Sequence, residues 1–275
     1  MGFGIAVLDS AQQKFFYHWF GAGGLALAFG LENAINRTVD LVAGMTAIPI
    51  RDGTGWYGYS FWIPAVFSGT SFCAAIGYMF YERYVVPPKY RFTSKRYAAK
   101  QKDAHATTQW KALFIASVTT LPWAFWMLPM TQLLQSGAAG GFSTSLADII
   151  RIRGYEKDVA GYMSSAQSIL PIVLSPVLGG FIDKFGHRFH FVALAPVLWI
   201  IACSMIGFTA VHPVAALVFS SLAGVINAMP LQVCIPLLVA DQNKLGTAFG
   251  VWRAFNNSGS TIVDIVFGVI QDGMY

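Results

Sequence analysis

The chain has 275 residues, 55% of them hydrophobic and 11% charged, with a net charge of +5 and a mean hydropathy of +0.54. A soluble domain usually carries about 25% charged residues, so this composition excludes a soluble globular protein. Long continuous apolar runs, in place of short alternating segments, also exclude a membrane β-barrel. They predict an all-α membrane protein with several spans.

The first 81 residues predict the end of a helical bundle. Residues 1–19 are shorter than the roughly 20 residues that a span needs and end in an aromatic cluster, Phe15–Trp19, typical of a membrane interface. We interpret them as the second half of a span. Residues 22–50 and 59–81 form the next two predicted spans.

A basic segment, residues 82–117, follows this bundle. Eight of the 18 Lys and Arg residues lie between Arg83 and Lys111, and Pro87 and Pro88 end the preceding helix. An excess of Lys and Arg is typical of cytoplasmic loops and favours proximity to acidic lipid headgroups. The segment therefore predicts a cytoplasmic linker whose partner is the bilayer surface and not a nucleic acid.

Residues 118–275 predict a second bundle, with spans at 118–150, 159–182, 189–209, 213–239 and 244–270. In the first of these spans, Pro122, Pro129 and the run Gly137–Gly141 predict a kinked or partly unwound helix. Such breaks point to a substrate path. Four residues beside the break are candidates for lining a cavity: Trp123, Trp126, Gln132 and Gln135. For the two tryptophans, a lipid-facing position is the alternative.

Two spans carry charged and amide residues that favour a cavity, because a charge at the bilayer centre costs at least about 2.5 kcal/mol on insertion scales. On span 22–50, Asn33, Asn36, Arg37 and Asp40 follow the i, i+3, i+4, i+7 spacing of one helical face, with Glu32 beside it. A second such face, on span 244–270, contains Arg253, Asn256, Asn257, Ser260 and Asp264.

Together the two faces predict a site for a small zwitterionic or anionic substrate, in which the asparagines add hydrogen bonds. Arg37 and Arg253 can hold a carboxylate through charge-assisted hydrogen bonds. Glu32, Asp40 or Asp264 can bind an amine or carry a proton. The alternative is that Arg37 pairs with Asp40 three residues on, or that these charges hold the bundle together.

The two polar spans also resemble each other. Ala28–Asn36 (Ala-Phe-Gly-Leu-Glu-Asn-Ala-Ile-Asn) and Ala248–Asn256 (Ala-Phe-Gly-Val-Trp-Arg-Ala-Phe-Asn) are offset by 220 residues. Such a repeat indicates equivalent helices in two related bundles. Chance likeness between helices rich in small residues is the alternative.

The most specific motif is the loop Gly179-Gly180-Phe181-Ile182-Asp183-Lys184-Phe185-Gly186-His187-Arg188. Its glycines allow a tight helix–loop–helix corner, and Lys184 and Arg188 predict a cytoplasmic position. The pattern resembles the loop signature of the major facilitator superfamily, although His187 replaces a usually basic residue. The motif residues to which the resemblance gives a conformational role are Gly179, Asp183, Lys184, Gly186 and Arg188.

This resemblance implies an alternating-access transporter with two pseudo-symmetric bundles of six helices. By this resemblance the spans present here correspond to spans four to eleven of such a transporter. We therefore expect the sequence to be part of a longer protein. Three strings, Leu174–Pro176, Leu245–Gly250 and Asn256–Gly259, resemble the branch that contains lysosomal dipeptide transporters. That branch implies dipeptide movement out of a lysosome or vacuole, a substrate-binding role for Arg37 and an accessory membrane subunit. Phe249 stands where the branch often has tyrosine.

Other classes of function lack support. The sequence contains no P-loop, no G-x-S-x-G and no H-E-x-x-H motif, so we expect neither an enzyme nor ATP-driven transport, and neither a cofactor nor a metal site. The alternatives to a transporter are a transport-inactive receptor or scaffold of the same fold, and a non-functional truncated product.

Overall fold

The computed structural model describes residues 2–21, 23–55, 58–59, 62–87, 118–186, 188–209, 211–239 and 242–272. These residues form helices and, across the ranges just given, no β-strand. The helices are α1 (Gly2–Phe20), α2 (Leu25–Thr54), α3 (Trp62–Tyr84), α4 (Trp123–Ile152), α5 (Lys157–Ala166), α6 (Ile169–Phe185), α7 (Arg188–Phe208), α8 (Pro213–Leu238) and α9 (Gln242–Asp272).

Each predicted span corresponds to one helix, except span 159–182, which is divided between α5 and α6. Within the described residues, three stretches are long and apolar enough to cross a membrane, namely 157–185, 188–208 and 213–238. The first of them contains the junction of α5 and α6. The all-α architecture predicted from composition is therefore confirmed.

The junction between α5 and α6 has a backbone cause. Pro171 has no amide hydrogen, so the carbonyl of Gln167 lacks the donor that a helix would supply four residues on. The hydroxyl of Ser221, on α8, donates to that carbonyl at 2.8 Å. The N–H groups of Gln167 and Ser168 bond three residues back, in a tighter turn. A neighbouring helix thus satisfies the freed backbone group, as a membrane interior requires.

Of the two outcomes predicted for this span, partial unwinding is wrong, because α4 is continuous from Trp123 to Ile152 and passes through Pro129, and the kink stays a prediction. The glycines serve close packing against α9 instead. A Cβ added to Gly137 would lie 2.8 Å from Val263 Cγ2, and one added to Gly141 would lie 2.5 Å from Val263 Cγ1. The break in this half of the chain lies at the α5–α6 junction.

The chain divides into two compact units, one of residues 1–45 with 117–275 and the other of residues 46–116. The second unit contains α3, whose side chains are exposed along most of its length. Most of the predicted linker, residues 88–117, lies outside the described residues. The division into 1–81, 82–117 and 118–275 therefore stays a prediction, as does the cytoplasmic position of the linker.

Two hydrophobic clusters hold the first unit together. One brings α2, α4, α6, α8 and α9 together around the fully buried Phe125, Phe249 and Trp252. The other packs α4, α5, α7 and α8 and includes Phe142 and Trp199, whose ring centroids are 5.5 Å apart. Between membrane helices such contacts stabilise through van der Waals packing, since lipid is as apolar as the side chains.

Asp183 of the loop motif lies at the end of α6 and caps the start of α2. Its carboxylate accepts hydrogen bonds from the N–H groups of Ala26 at 3.1 Å and Leu27 at 2.8 Å. N–H groups in the first turn of a helix have no partner within the helix, and the helix dipole there favours a negative charge. One side chain therefore fixes the positions of two helices.

Gly179, one turn before Asp183, allows this contact. A Cβ at position 179 would lie 2.5 Å from the carbonyl oxygen of Ala26 and 2.8 Å from Leu27 Cα, so the backbones of α6 and α2 meet where no side chain fits. The neighbouring Gly180 has nothing within 4 Å of an added Cβ. Gly179 and Gly180 are therefore not equivalent.

The remaining motif residues shape the corner itself. Gly186 ends α6 with φ +82°, which favours glycine, and its N–H bonds the carbonyl of Ile182 at 2.9 Å. The Lys184 ammonium lies 5.3 Å from the Phe185 ring centroid, and Arg188 begins α7. His187 lies outside the described residues.

We predict that Gly179→Ala destabilises the protein whereas Gly180→Ala does not. The methyl group at 179 would force α2 and α6 apart, and overpacking of this kind costs about 1–3 kcal/mol. At 180 the methyl group meets open space and improves helix propensity. Thermal unfolding of both variants in detergent measures the difference, and equal melting temperatures would contradict the close approach.

We also predict that Asp183→Ala lowers the melting temperature, because two N–H groups of α2 lose their acceptor. Loss of a capping side chain costs about 1 kcal/mol. Asp148→Ala is the matched control, since Asp148 is an exposed carboxylate on α4. If both substitutions lower the melting temperature equally, the cap does not stabilise α2.

Candidate functional site

The first unit contains a cavity of about 390 Å³, within the size range of small-molecule sites. Side chains from α1, α2, α4, α6, α7, α8 and α9 line it, together with Gln167 at the junction of α5 and α6. Phe29 and Trp252 of one hydrophobic cluster and Trp199 of the other are among these residues. The cavity therefore borders both parts of the core.

Helix α2 brings most of its predicted polar face to this cavity. Glu32, Asn33, Asn36 and Arg37 all line it. Asp40 does not, and its carboxylate lies 3.5 Å from the Arg37 guanidinium, with both side chains partly exposed. The two interpretations of Arg37 therefore hold together, since it lines the cavity and also pairs with Asp40. An exposed pair of this kind contributes about 0–1 kcal/mol.

Helix α9 contributes a narrower face than its sequence predicts. Arg253, Asn256 and Ser260 line the cavity, whereas Asn257 and Asp264 do not. Asp264 accepts a hydrogen bond from the hydroxyl of Thr144 at 3.2 Å. Thr144 is itself a lining residue, so Asp264 contacts the lining without belonging to it.

Side-chain amides connect α4 to α9 at the cavity wall. The Gln132 amide nitrogen donates to Asn256 Oδ1 at 2.6 Å, and Asn256 Nδ2 donates to Asn257 Oδ1 at 3.3 Å. The Ser136 hydroxyl donates to the Asn256 carbonyl at 2.8 Å. Asn256 and Asn257 are thus engaged in hydrogen bonds within the protein. Gln132 belongs to the same predicted substrate site as these two asparagines.

Helix α2 is positioned by α6 in a similar way. Gly30 faces Ser175, where an added Cβ would lie 2.5 Å from the Ser175 carbonyl oxygen. Asn33 Nδ2, one turn on, donates to Ser175 Oγ at 2.8 Å. This hydrogen bond fixes the rotation of α2, which directs Glu32 and Arg37 to the cavity.

The two copies of the internal repeat meet beside the cavity. Phe29 of α2 and Phe249 of α9 occupy equivalent positions in the repeat, and their rings pack edge to face with centroids 6.5 Å apart. Both side chains are nearly fully buried. Contact between equivalent residues is the arrangement expected of two helices related by a local two-fold axis.

Both arginines lie deep along their helices. With a rise of 1.5 Å per residue, Arg37 is about 18 Å from the start of α2 and Arg253 about 16 Å from the start of α9. Both guanidinium groups therefore belong to interior turns of their helices and not to the helix ends.

The neutral part of the cavity lies outside the charged faces that the sequence predicts. Its residues are polar or aromatic and come chiefly from α1, α7, α8 and the α5–α6 junction. They are Gln13, Gln167, Trp199, Ser220, Ser221, Asn227, Gln232 and Trp252, together with Ser136, Ser143 and Thr144 of α4. The signal that identifies most of them is an amide or hydroxyl residue inside an apolar span, where an unsatisfied polar group costs several kcal/mol.

Of the candidates named beside the glycine run, Gln132 lines the cavity. Trp123 is 82% exposed, and Trp126 packs against Phe125 and Phe255. Gln135 donates to the Val192 carbonyl at 3.3 Å and is not among the lining residues.

Comparisons with known proteins agree on one family. The family model described as Major Facilitator Superfamily matches residues 1–263. The chain is 25% identical to the lysosomal dipeptide transporter MFSD1 of Danio rerio over 279 residues, which are 98% of this chain and 58% of the relative. The MFSD1 of Gallus gallus is 24% identical over 277 residues, 98% of this chain and 60% of the relative.

The MFSD1 of Homo sapiens is 28% identical over 119 residues, which are 43% of this chain and 25% of the relative. The chain thus spans less than two thirds of the length of these relatives. No solved structure matches it.

We predict that a cysteine in place of Ser143 reacts with a charged, membrane-impermeant thiol reagent, because Ser143 lines the cavity. Leu134→Cys on the same helix is the control, since Leu134 is 72% exposed but lies away from the cavity. Both variants are made after replacement of Cys73, Cys203 and Cys234. Labelling of Leu134→Cys as fast as Ser143→Cys would contradict an aqueous cavity at this position.

Proposed function

This chain belongs to the major facilitator superfamily of integral membrane transporters, and from that membership we propose that the protein moves small organic solutes across a membrane by alternating access. The observation that supports the proposal is the cavity, to whose lining α2 contributes Glu32 and Arg37 and α9 contributes Arg253. Charged side chains inside a membrane protein are costly unless they face a cavity or a partner.

We assign the charged lining residues to the ends of the solute. Arg37 and Arg253 hold a carboxylate through charge-assisted hydrogen bonds. Glu32 binds an ammonium group or carries a proton, since it lines the cavity whereas Asp40 and Asp264 do not. Asn33, Asn36 and Asn256 add hydrogen bonds to a solute that is zwitterionic or anionic.

We propose dipeptides as the first solutes to test and a lysosome or vacuole as the compartment. Relatives named lysosomal dipeptide transporters support this choice, as does a cavity with one carboxylate and two guanidinium groups. A dipeptide carries an ammonium group and a carboxylate separated by a short neutral segment, which this arrangement can bind.

The experiment is uptake of a labelled dipeptide pool into liposomes that contain the protein as it occurs in the cell. We expect saturable uptake, reduced about tenfold or more by Arg37→Ala and by Arg253→Ala, because a hydrogen bond to a charged group contributes about 1.5–3 kcal/mol. Arg51→Ala is the matched control, since Arg51 lies at the end of the same helix as Arg37 and pairs with Asp52 at 2.8 Å.

Two results would overturn the proposal. Uptake that is unchanged in both arginine variants would remove Arg37 and Arg253 from the site. Absence of uptake by correctly folded protein would remove the dipeptide assignment, and the next solutes to test would be other small anions. A transport-inactive receptor or scaffold is the remaining interpretation if every solute fails.

A further inference from the structure

We propose that the cavity walls on α1, α4, α7 and α8 bind the neutral amide of the transported solute, and that Gln132 Oε1 accepts a hydrogen bond from its N–H group. The inference rests on the proposed transport function and specifies which part of the solute the protein recognises besides its charges.

Charge is distributed unequally around the cavity. Of the described residues that line it, the charged ones are Glu32, Arg37 and Arg253, and all three lie on α2 or α9. The other lining helices contribute amides, hydroxyls and the indole ring of Trp199 instead. A solute with charged ends can therefore place those ends along α2 and α9 and direct an uncharged polar group to the opposite walls.

These walls contain buried hydrogen-bonding atoms that the protein leaves unsatisfied. Gln13 Oε1, Gln132 Oε1 and Asn227 Oδ1 are acceptors without a partner among the described residues, on side chains that are 1%, 1% and 6% exposed. The indole N–H group of Trp199, on α7, is a donor without a partner within that part of the chain, and so is that of Trp252, which lies on α9 beside Arg253. Buried polar groups are normally satisfied, so these atoms indicate a ligand or ordered water.

The number and kind of these atoms define the group that fits. Amide oxygens need a donor, and indole N–H groups need an acceptor. A carboxylate offers acceptors alone and an ammonium group offers donors alone, and neither charge would find an opposite charge on these walls. An amide supplies an N–H donor and a carbonyl acceptor without a net charge, which matches both requirements.

Gln132 is the acceptor best placed to bind the N–H group. Its own amide nitrogen is held by Asn256 Oδ1 at 2.6 Å, which fixes the side chain and leaves Oε1 as its remaining polar atom. Asn256 lies one helical turn from Arg253, so Gln132 lies where the charged and neutral walls meet. In a dipeptide, the peptide N–H likewise lies next to the carboxyl-terminal half of the molecule.

Gln135 provides a matched control on the same helix. It is 5% exposed, its Oε1 also lacks a partner among the described residues, and its amide nitrogen donates to the Val192 carbonyl at 3.3 Å. Gln132 and Gln135 therefore lose the same kinds of interaction on substitution by methionine. They differ in that Gln132 lines the cavity and Gln135 does not.

The experiment compares uptake of a dipeptide with uptake of its ester analogue, in which oxygen replaces the peptide N–H. The two solutes have the same charges and nearly the same shape, and differ in one donor. We measure kcat/KM for both in the unmodified protein, in Gln132→Met and in Gln135→Met. We expect about a tenfold preference for the dipeptide in the unmodified protein and in Gln135→Met, and a preference near one in Gln132→Met.

Three other outcomes have distinct meanings. Equal transport of both solutes by the unmodified protein would overturn the proposed amide site, because water would then satisfy the buried atoms. A preference that survives in Gln132→Met would overturn the assignment to Gln132. If neither solute is transported, the dipeptide function itself fails, and the amide site fails with it.

Discussion

Helices α2 and α6 meet backbone to backbone, and the candidate site depends on that contact. Gly30 lies against Ser175 and Gly179 lies against Ala26, in both cases closer than any side chain would permit. The Asp183 carboxylate then holds the first turn of α2. Since the helix is fixed at its start and along one side, its rotation is set, and the face that carries Glu32 and Arg37 lines the cavity.

Helices α4 and α9 show the same principle on the other side of the cavity. Gly137 and Gly141 bring the two backbones close, and Gln132 hydrogen-bonds to Asn256 across the interface. In lipid, apolar side chains gain little from leaving their surroundings, so small residues and interhelical hydrogen bonds determine which helices associate. The residues that hold these helices together are therefore neighbours of the residues that line the cavity.

The distribution of polar groups connects this packing to transport. Charges on α2 and α9 share the cavity with neutral amides, hydroxyls and the Trp199 indole from the other helices. A site with charges on every wall would bind a compact ion, whereas this one suits a solute with charged ends and an uncharged centre. The tightened turn at Gln167, which also lines the cavity, places a local change in helical hydrogen bonding beside the site.

The sequence by itself determined the class of protein, the positions of most helices and the two polar faces. These features depend on composition and on local periodicity, and both can be read along a single chain. The loop motif around Asp183 was evident in the same way, although its contact with α2, 156 residues away, was not.

Only the tertiary structure decided which polar residues share the cavity. Asp40 and Asp264 lie on the predicted faces but one turn beyond Arg37 and Ser260, the last lining residues of their helices, and Asn257 accepts a hydrogen bond from Asn256. Gln13, Gln167 and Asn227 come from separate parts of the chain and meet there because the helices pack together. The glycines of α4 predicted a break, yet they pack against α9, since a glycine permits both outcomes and the neighbouring helix determines which one occurs.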